Sequence, residues 1–378
     1  MRTGEIRPRD GHLATDFPMR FHPPGIQTAS NLKQEYCSGR CRCAYSRRVK
    51  LLVTGTGGGA GQAVLKSLQH SGYEVIAADG EVLGTGLYTT GHGCIIPYAS
   101  NPRFIDRLLE ICAAEKVRII YPGLDAELPV LTRHREAFSK IGTTVMVSDE
   151  SVIRIADDKH LTAEFLLRNG FPAPKTVPLS DAVAGTISFP VVLKPKVGGA
   201  RSKGVRLVRT AADFPSACAD LDPAGYVVQE FIDGPEYTCG ALTLGGKCHG
   251  VAVLRRVLRD GDTYKAFVET QTGLEPFVQR VAEALQPFGT CNFQLRVRDG
   301  IPYIFEINAR SSGTTHCRTL AGFNEPRMIA DFLLKGITPT FSLRPITILR
   351  YWKELVVENE LVEQVKKDGT IHSRADQL

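Results

Sequence analysis

Apolar positions along the chain fall into short runs separated by glycine-, proline- and charge-rich breaks, and these runs begin abruptly. Residues 1–48 show no sustained periodicity and contain Pro8, Pro18, Pro23 and Pro24. This predicts a disordered basic tail, or an over-extended start of the reading frame. From Val49 the pattern changes. Val49–Val53 reads as a short buried strand, followed by Thr54-Gly55-Thr56-Gly57-Gly58-Gly59-Ala60-Gly61 and a helix-period stretch from Gln62 to Gln69. A second buried strand follows at Glu74–Asp79. Strand, helix and strand in this order form a βαβ unit, which implies a parallel sheet. Further strands are predicted at 94–97, 117–121 and 143–147, with helices at 102–115 and 126–139. Residues 49–148 are thus expected to form a doubly wound, Rossmann-like α/β domain.

A different pattern starts near Ser151. A helix over 157–169 is stopped by Asn169-Gly170, and Pro172 and Pro174 prevent its resumption. Short strands follow at 189–194, 204–208, 225–231, 236–244, 248–257, 290–298 and 302–307, an α+β arrangement. The expected division is a second domain over 149–340 and a C-terminal extension over 341–378, with a strand near 346–351 and a charged helix or loop.

Composition narrows the class. No apolar run approaches the ~18–20 residues needed to span a bilayer, and the N-terminus lacks the apolar core of a secretory signal. A cytoplasmic protein without membrane partners is expected. The net charge of +6 hints at nucleic acid until it is located. Residues 1–50 hold ten Lys/Arg and four Asp/Glu; subtracting these from the totals of 46 and 40 leaves 36 of each sign. A body with balanced charge has no general attraction for a polyanion, so no nucleic-acid partner is expected. Among the ten cysteines, only Cys37-x3-Cys41-x-Cys43 is clustered. A zinc site needs a fourth ligand, none is evident, and an unstructured tail is the better reading.

Four features in residues 159–310 could carry chemistry. Phe189–Pro195 is a buried strand that carries Lys194 near its end. Lys196–Val205 is a cationic glycine-rich loop, able to turn backbone N–H groups and ammonium charge toward an anion. The same pattern also suits a solvated hairpin. Tyr226–Thr238 runs strand, Gly234-Pro235 turn, strand, and sets polar Gln229 and Glu236 where an adenosine could meet them. Cys291–Arg310 reads as a hairpin of two alternating strands. Glu306 and Asn308 lie two apart, hence on one face, a spacing of oxygen donors that suits Mg2+ shared with phosphates. Gln294 joins them only if the hairpin loop is odd-numbered, because a two-residue Asp299-Gly300 turn sends Gln294 and Glu306 to opposite faces. A three- or five-residue loop with Gly300 at positive φ is therefore expected. The bland alternative is an exposed polar face of an amphipathic hairpin.

Taken in order, Lys159, Lys194, the glycine-rich loop, Gln229…Glu236 and Gln294…Glu306-x-Asn308-x-Arg310 resemble the ATP-grasp superfamily. The likeness is to ligases similar to the large subunit of carbamoyl-phosphate synthetase, including the amino-acid ligase of pyrrolysine biosynthesis. It covers about 49–340, including Tyr121–Pro129. The resemblance implies a Rossmann-like pre-ATP-grasp domain followed by a two-lobed ATP-grasp domain, and an ATP- and Mg2+-dependent carboxylate–amine ligase. Mn2+ could replace Mg2+, and a homodimer is compatible. By the same resemblance, Lys159 and Lys194 hold the α- and β-phosphates. Ser202, Lys203 and Gly204 lie in the phosphate-covering loop. Gln229 meets the adenine amine beside Phe231 and Ile232, and Glu236 binds ribose. Gln294, Glu306 and Asn308 form the metal shell, and Arg310 stabilises the transferred phosphoryl group. Many family members carry an acid where this chain has Gln294, which leaves Glu306 as the one formal carboxylate of the shell.

The implied reaction joins a small-molecule carboxylate, activated as an acyl phosphate, to an amine, with amino-acid-like substrates by analogy. Ser311–His316 should border the acyl phosphate. Arg318 could bind a substrate carboxylate or form a structural ion pair. Asp125 and Glu127 could receive an ammonium, or cap a helix, the favoured reading. Two other functions compete. One is an ATP-binding protein without ligase turnover. The other is an NAD-dependent oxidoreductase, because Gly55-x-Gly57-x-x-Ala60 with Asp79 downstream fits a weak dinucleotide fingerprint.

Overall fold

The computed structural model of the chain describes residues 48–182, 187–199 and 202–372. Only Arg48 of the expected tail is included; Cys37, Cys41 and Cys43 lie outside the described residues, as does Arg201 of the glycine-rich loop.

The first sheet is built from β1 (Lys50–Val53), β2 (Glu74–Asp79), β3 (His92–Ile95), β4 (Val117–Tyr121) and β5 (Thr144–Val145), connected through α1 (Gly59–Leu68), α2 (Phe104–Glu115) and α3 (Leu128–Lys140). Its parallel order is β3-β2-β1-β4-β5. The strands are near-continuous apolar runs because helices cover both faces of such a sheet. α1 packs close to the sheet through Gly61, where a Cβ would stand 2.3 Å from the Gly55 carbonyl oxygen.

The helix expected over 157–169 is two helices, α4 (Glu150–Asp157) and α5 (Lys159–Arg168). Asp158 separates them. Its backbone is extended, and its carboxylate accepts the N–H groups of His160 and Leu161, which makes it the N-cap of α5. The break matters because it sets Lys159 at the first position of a new helix.

A four-stranded antiparallel sheet follows, from β6 (Thr176–Pro178), β7 (Val191–Pro195), β8 (Arg206–Val208) and, after the short α6 (Phe214–Cys218), β9 (Tyr226–Glu230), in the order β6-β9-β7-β8. The larger antiparallel sheet comprises β10 (Glu236–Leu244), β11 (Lys247–Arg259), β12 (Asp262–Glu269), β13 (Gly289–Arg298) and β14 (Ile301–Asn308), with α7 (Leu274–Leu285) between β12 and β13. α8 (Thr315–Ala321) and α9 (Glu325–Lys335) come next. The C-terminal extension adds an edge to each large sheet. β15 (Thr347–Leu349) pairs with β12, and β16 (Thr370–His372), after α10 (Asn359–Asp368), pairs antiparallel with β3.

α7 lies over β10 and β11 on one face of the large sheet, where Phe277, Val278 and Val281 join an apolar cluster with Cys239, Ala241, Val251 and Val253. The opposite face is polar where β13 and β14 carry Gln294, Glu306 and Asn308, and apolar where β10 and β11 carry Leu242 and Leu254. A second apolar cluster runs from Leu51 and Val53 through Phe323 to Leu242 and Leu254, so the first sheet and the large sheet share a core.

Candidate functional site

The β13–β14 hairpin differs from expectation in its turn and agrees in its outcome. Arg298 pairs with Ile301, so the turn is the two-residue Asp299-Gly300, with φ of 54° and 77°. Positive φ at both positions is the type I′ geometry that matches strand twist. That turn alone would put Gln294 and Glu306 on opposite faces. The register instead shifts after Leu295, so that Leu295 pairs with Ile304 while Gln294 pairs with Glu306. Phe305 is the extra residue of a β-bulge, which restores the shared face. The Phe305 carbonyl accepts a hydrogen bond from Lys194 Nζ at 2.9 Å.

This contact brings the two sheets together. Lys194, on β7, is 6% exposed, and its ammonium also lies 5.4 Å from the centroid of the Phe305 ring. Burial lowers its pKa to about 8, against the opposing pull of the Glu306 carboxylate. Lys159 is equally buried; its ammonium donates to the Gly198 carbonyl at 2.5 Å and to that of Asp157 at 3.4 Å. Gly198 N–H in turn donates to the Asp157 carboxylate at 3.2 Å, which ties the start of the glycine-rich loop to the α4–α5 junction. Among the described residues neither ammonium has a carboxylate partner. Ser202, Lys203 and Gly204 are exposed beyond them, with Ser202 and Gly204 at positive φ.

Gln229, on β9, is buried and donates through Nε2 to the Thr176 hydroxyl at 2.9 Å. Ile232 is buried beside it, and Phe231 packs under the Arg296 guanidinium, 5.1 Å from its ring centroid. Glu236 is more heavily engaged than a ribose-binding acid needs to be. Oε1 accepts from Nε and Nη2 of Arg256 at 2.8 and 2.5 Å, and Oε2 from Nε and Nη2 of Arg296 at 3.1 and 2.7 Å. Four donors fill the acceptor capacity of a carboxylate. Arg256 is the cation of this network that the sequence does not single out, since an adjacent Arg255-Arg256 pair does not say which member faces Glu236 and Gln294.

The expected metal shell is one connected network. Glu306 Oε1 accepts from Gln294 Nε2 at 3.1 Å and Asn308 Nδ2 at 3.0 Å, while Asn308 Oδ1 accepts from Gln294 Nε2 at 3.2 Å and Asn292 Nδ2 at 3.3 Å. The Gln294 oxygen accepts from Arg256 Nη2 at 2.6 Å, and its nitrogen faces the other two. Glu306 Oε2 has no hydrogen bond from the described residues, and no group of three or more His, Cys, Asp or Glu among them could cage a metal. One free carboxylate oxygen does not make an all-protein cage, but it fits Mg2+ that arrives with phosphates and keeps most of its shell from them and from water.

Arg310 follows the hairpin. Its Nη2 donates to Asp125 Oδ2, and its buried Nε has no partner. Arg318 is a structural ion pair rather than a substrate anchor: it is fully buried with Glu325 at 2.5 Å and braces Thr314 and Thr315 within the Ser311–His316 segment. Glu127 caps its own turn, accepting the N–H groups of Gly123 and Leu124.

The dinucleotide reading meets an occupied site. Asp79 Oδ2 accepts Gly57 N–H at 2.6 Å and Oδ1 accepts Glu81 N–H at 2.9 Å, so the acid is spent on its own loop. Gly86 packs so tightly on the glycine turn that a Cβ there would stand 2.4 Å from Thr56. The glycines close the loop on protein.

Comparison with known proteins agrees with this architecture. Residues 51–146 match the family described as PylC-like, N-terminal domain, and residues 223–351 match "ATP-grasp in the biosynthetic pathway with Ter operon". The carbamoyl phosphate synthase large chain of Thermoanaerobacter sp. is 25% identical over 57% of this chain, which spans only 22% of that protein. A D-alanine–D-alanine ligase of Coprothermobacter proteolyticus is 25% identical over 62% of this chain and 84% of its own. Among solved structures, an N5-carboxyaminoimidazole ribonucleotide synthetase shares the fold with a TM-score of 0.65 at 16% identity, over 85% of this chain and 84% of that one. The chain carries an ATP-grasp domain behind a PylC-like N-terminal domain. No helix among the described residues is long and apolar enough to cross a membrane.

Proposed function

We propose that this protein is an ATP- and Mg2+-dependent ligase that activates a carboxylate as an acyl phosphate for attack by an amine. Residues 49–148 form its Rossmann-like domain and 149–340 its ATP-grasp domain. One observation carries the reading. Two lysines, each 6% exposed and bonded only to backbone carbonyls, lie within reach of each other's charge, and Lys194 also within reach of the Glu306 carboxylate. Buried ammonium groups without counter-charges are costly, and together they complement a polyanion.

In this reading Lys159 and Lys194 hold the α- and β-phosphates, and Ser202, Lys203 and Gly204 cover them. Gln229, Phe231 and Ile232 border the adenine. Glu236 would have to release an arginine to reach ribose, so we assign it to holding Arg256 and Arg296 in place. Glu306, with Asn308 beside it, would hold Mg2+; when bound, the ion neutralises phosphate oxygens. A substrate carboxylate oxygen attacks the γ-phosphorus, the β–γ bridging P–O bond breaks, and ADP leaves. The amine then attacks the acyl carbon, the C–O bond to phosphate breaks, inorganic phosphate leaves, and the amine proton passes to solvent. Phosphoryl transfer asks mainly for position and charge, which Lys194 and Arg310 supply without a covalent nucleophile.

The solved structural neighbour was crystallised with ADP, and the D-alanine ligase joins two amino acids by its name, which supports nucleotide use and amino-acid-like substrates. The test is a phosphate-release screen against carboxylate–amine pairs, beside equilibrium binding of Mg-ATP and NADH. Mg-ATP binding and a productive pair are expected, with turnover abolished by Glu306→Ala in a variant that still folds. Saturable NADH binding without Mg-ATP binding would overturn the reading. ATP binding without ADP release across the whole panel would favour a protein that binds nucleotide and does not turn over.

A further inference from the structure

Arg310 carries one buried donor that no protein group answers, and a second unanswered group lines the same cavity. Among the described residues, Arg310 Nε and the Thr290 hydroxyl are both buried without a hydrogen-bond partner, so they are not bonded to each other. Thr290 lies on β13 in the polar stripe Thr290-x-Asn292-x-Gln294, which alternates with the core positions Cys291, Phe293 and Leu295. It occupies the end of that stripe where the sheet turns apolar, paired with Leu242 of β10. Valine would fill the same space with no polar atom to satisfy, so a hydroxyl here is costly unless something bonds it. Thr290 and Arg310 share a cavity whose other walls include Tyr121, Met146 and Ile329. Its volume, about 10 Å3, suits one water molecule and nothing larger.

We infer that Thr290 is a positioning residue for Arg310, acting through one buried water held in this cavity. The water accepts the Arg310 Nε–H and donates to the Thr290 hydroxyl oxygen. Its second hydrogen goes to the Tyr121 hydroxyl, whose own proton is committed to the Pro326 carbonyl at 2.8 Å and which keeps an acceptor lone pair. Three hydrogen bonds are the usual complement of a buried water. The guanidinium is then held at every nitrogen, Nη2 by Asp125, Nη1 by the Ser311 carbonyl and Nε by the water. Tyr121 ends β4 and Asp125 lies on the loop that follows, so two of these holds come from one corner of the first domain. An arginine that meets developing phosphoryl charge works best when its direction is fixed beforehand. The inference rests on the role proposed above for Arg310 and adds a residue to it.

Thr290→Val keeps the shape and removes the hydroxyl, whereas Thr290→Ser keeps the hydroxyl. High-resolution crystal structures of the wild type and both variants read the water, and phosphate-release kinetics with a productive carboxylate–amine pair read Arg310. An ordered water bonded to Arg310 Nε and Thr290 Oγ1 is expected in the wild type, retained in the serine variant and lost in the valine variant. The valine variant should lose roughly ten-fold in kcat, with KM for ATP and the melting temperature little changed, and serine should recover most of the loss. A threonine with a merely structural role would shift the melting temperature and leave kcat alone, or lower both without rescue by serine. Either result, or a wild-type cavity without water density, would overturn the inference. If the valine variant does not fold, the wild-type density and the kcat of the serine variant decide. If no pair releases phosphate, the ligase reading fails, and the density alone decides whether a water ties Thr290 to Arg310.

Discussion

Arg310 Nη2 lies 2.5 Å from Asp125 Oδ2, an ion pair between residues 185 positions apart. It fastens the cation assigned to the transferred phosphoryl group onto the loop that follows β4 of the first sheet. The buried Arg310 Nε has no partner, so Asp125 and the Ser311 carbonyl fix the direction of the guanidinium. Asp125→Asn removes the charge and keeps the shape. Its side chain is 37% exposed, so the stability cost should be small, about 1 kcal/mol. The effect on catalysis should be larger, a fall in kcat of roughly ten-fold, because a free guanidinium loses its aim. Phosphate-release kinetics beside a thermal melt separate the two effects. An unchanged kcat would remove Asp125 from the positioning of Arg310.

The pair Arg318–Glu325 behaves differently because neither side chain has any exposure. Arg318 also wraps Gly240 of β10, where a Cβ would stand 2.2 Å from its Nε. Removing one partner strands a charge in the core, so Glu325→Gln should destabilise the fold by about 3–5 kcal/mol. Replacing both, as Arg318→Met with Glu325→Leu, should cost clearly less than the sum of the single changes. Chemical denaturation of the four proteins in the cycle gives the answer. Additive costs, or a single variant that loses activity but no stability, would return Arg318 to the substrate site.

These contrasts show what the sequence could reveal. Strands β2 and β4 have the bounds that their apolar runs predict, because a parallel strand buried on both faces is a continuous hydrophobic segment with polar breaks at its ends. α7 carries Leu274, Phe277, Val278, Val281 and Leu285 at full helical spacing, a signal present in the sequence that the expectation omits. The bulge at Phe305 has no such signal. A parity rule assumes an unbroken ladder, and one extra residue swaps the face it assigns without changing the composition. Arg256 is hidden for a related reason: which arginine of an adjacent pair faces the site depends on the pairing of β11 with β10, and that register is tertiary information. Lys159, Lys194 and Glu306 are legible because their spacing along the chain follows a known order, and the structure adds that the charge of Lys194 interacts with both of the others.

Glu127 provides a test of the fold in the first domain that is independent of nucleotide. Its side chain is buried, and Oε2 accepts from the Thr54 hydroxyl at 2.6 Å and from the N–H groups of Gly123 and Leu124 at 3.2 and 3.3 Å. Burial raises its pKa from 4.5 to about 7, with the three hydrogen bonds opposing the rise. The folded protein therefore holds a proton that the unfolded chain has released between those two values. Stability is fully present below about 4.5 and is lost as pH rises toward 7, with a slope of at most about 1.4 kcal/mol per pH unit from this group. Glu127→Gln keeps an acceptor oxygen and has no charge to bury, so its stability should lack this fall and exceed the wild type's above pH 7. The difference between the two denaturation profiles isolates Glu127 from histidines that titrate in the same window. Parallel profiles from pH 4.5 to 7.5 would mean that the carboxylate is ionised throughout, with its three donors outweighing the cost of burial.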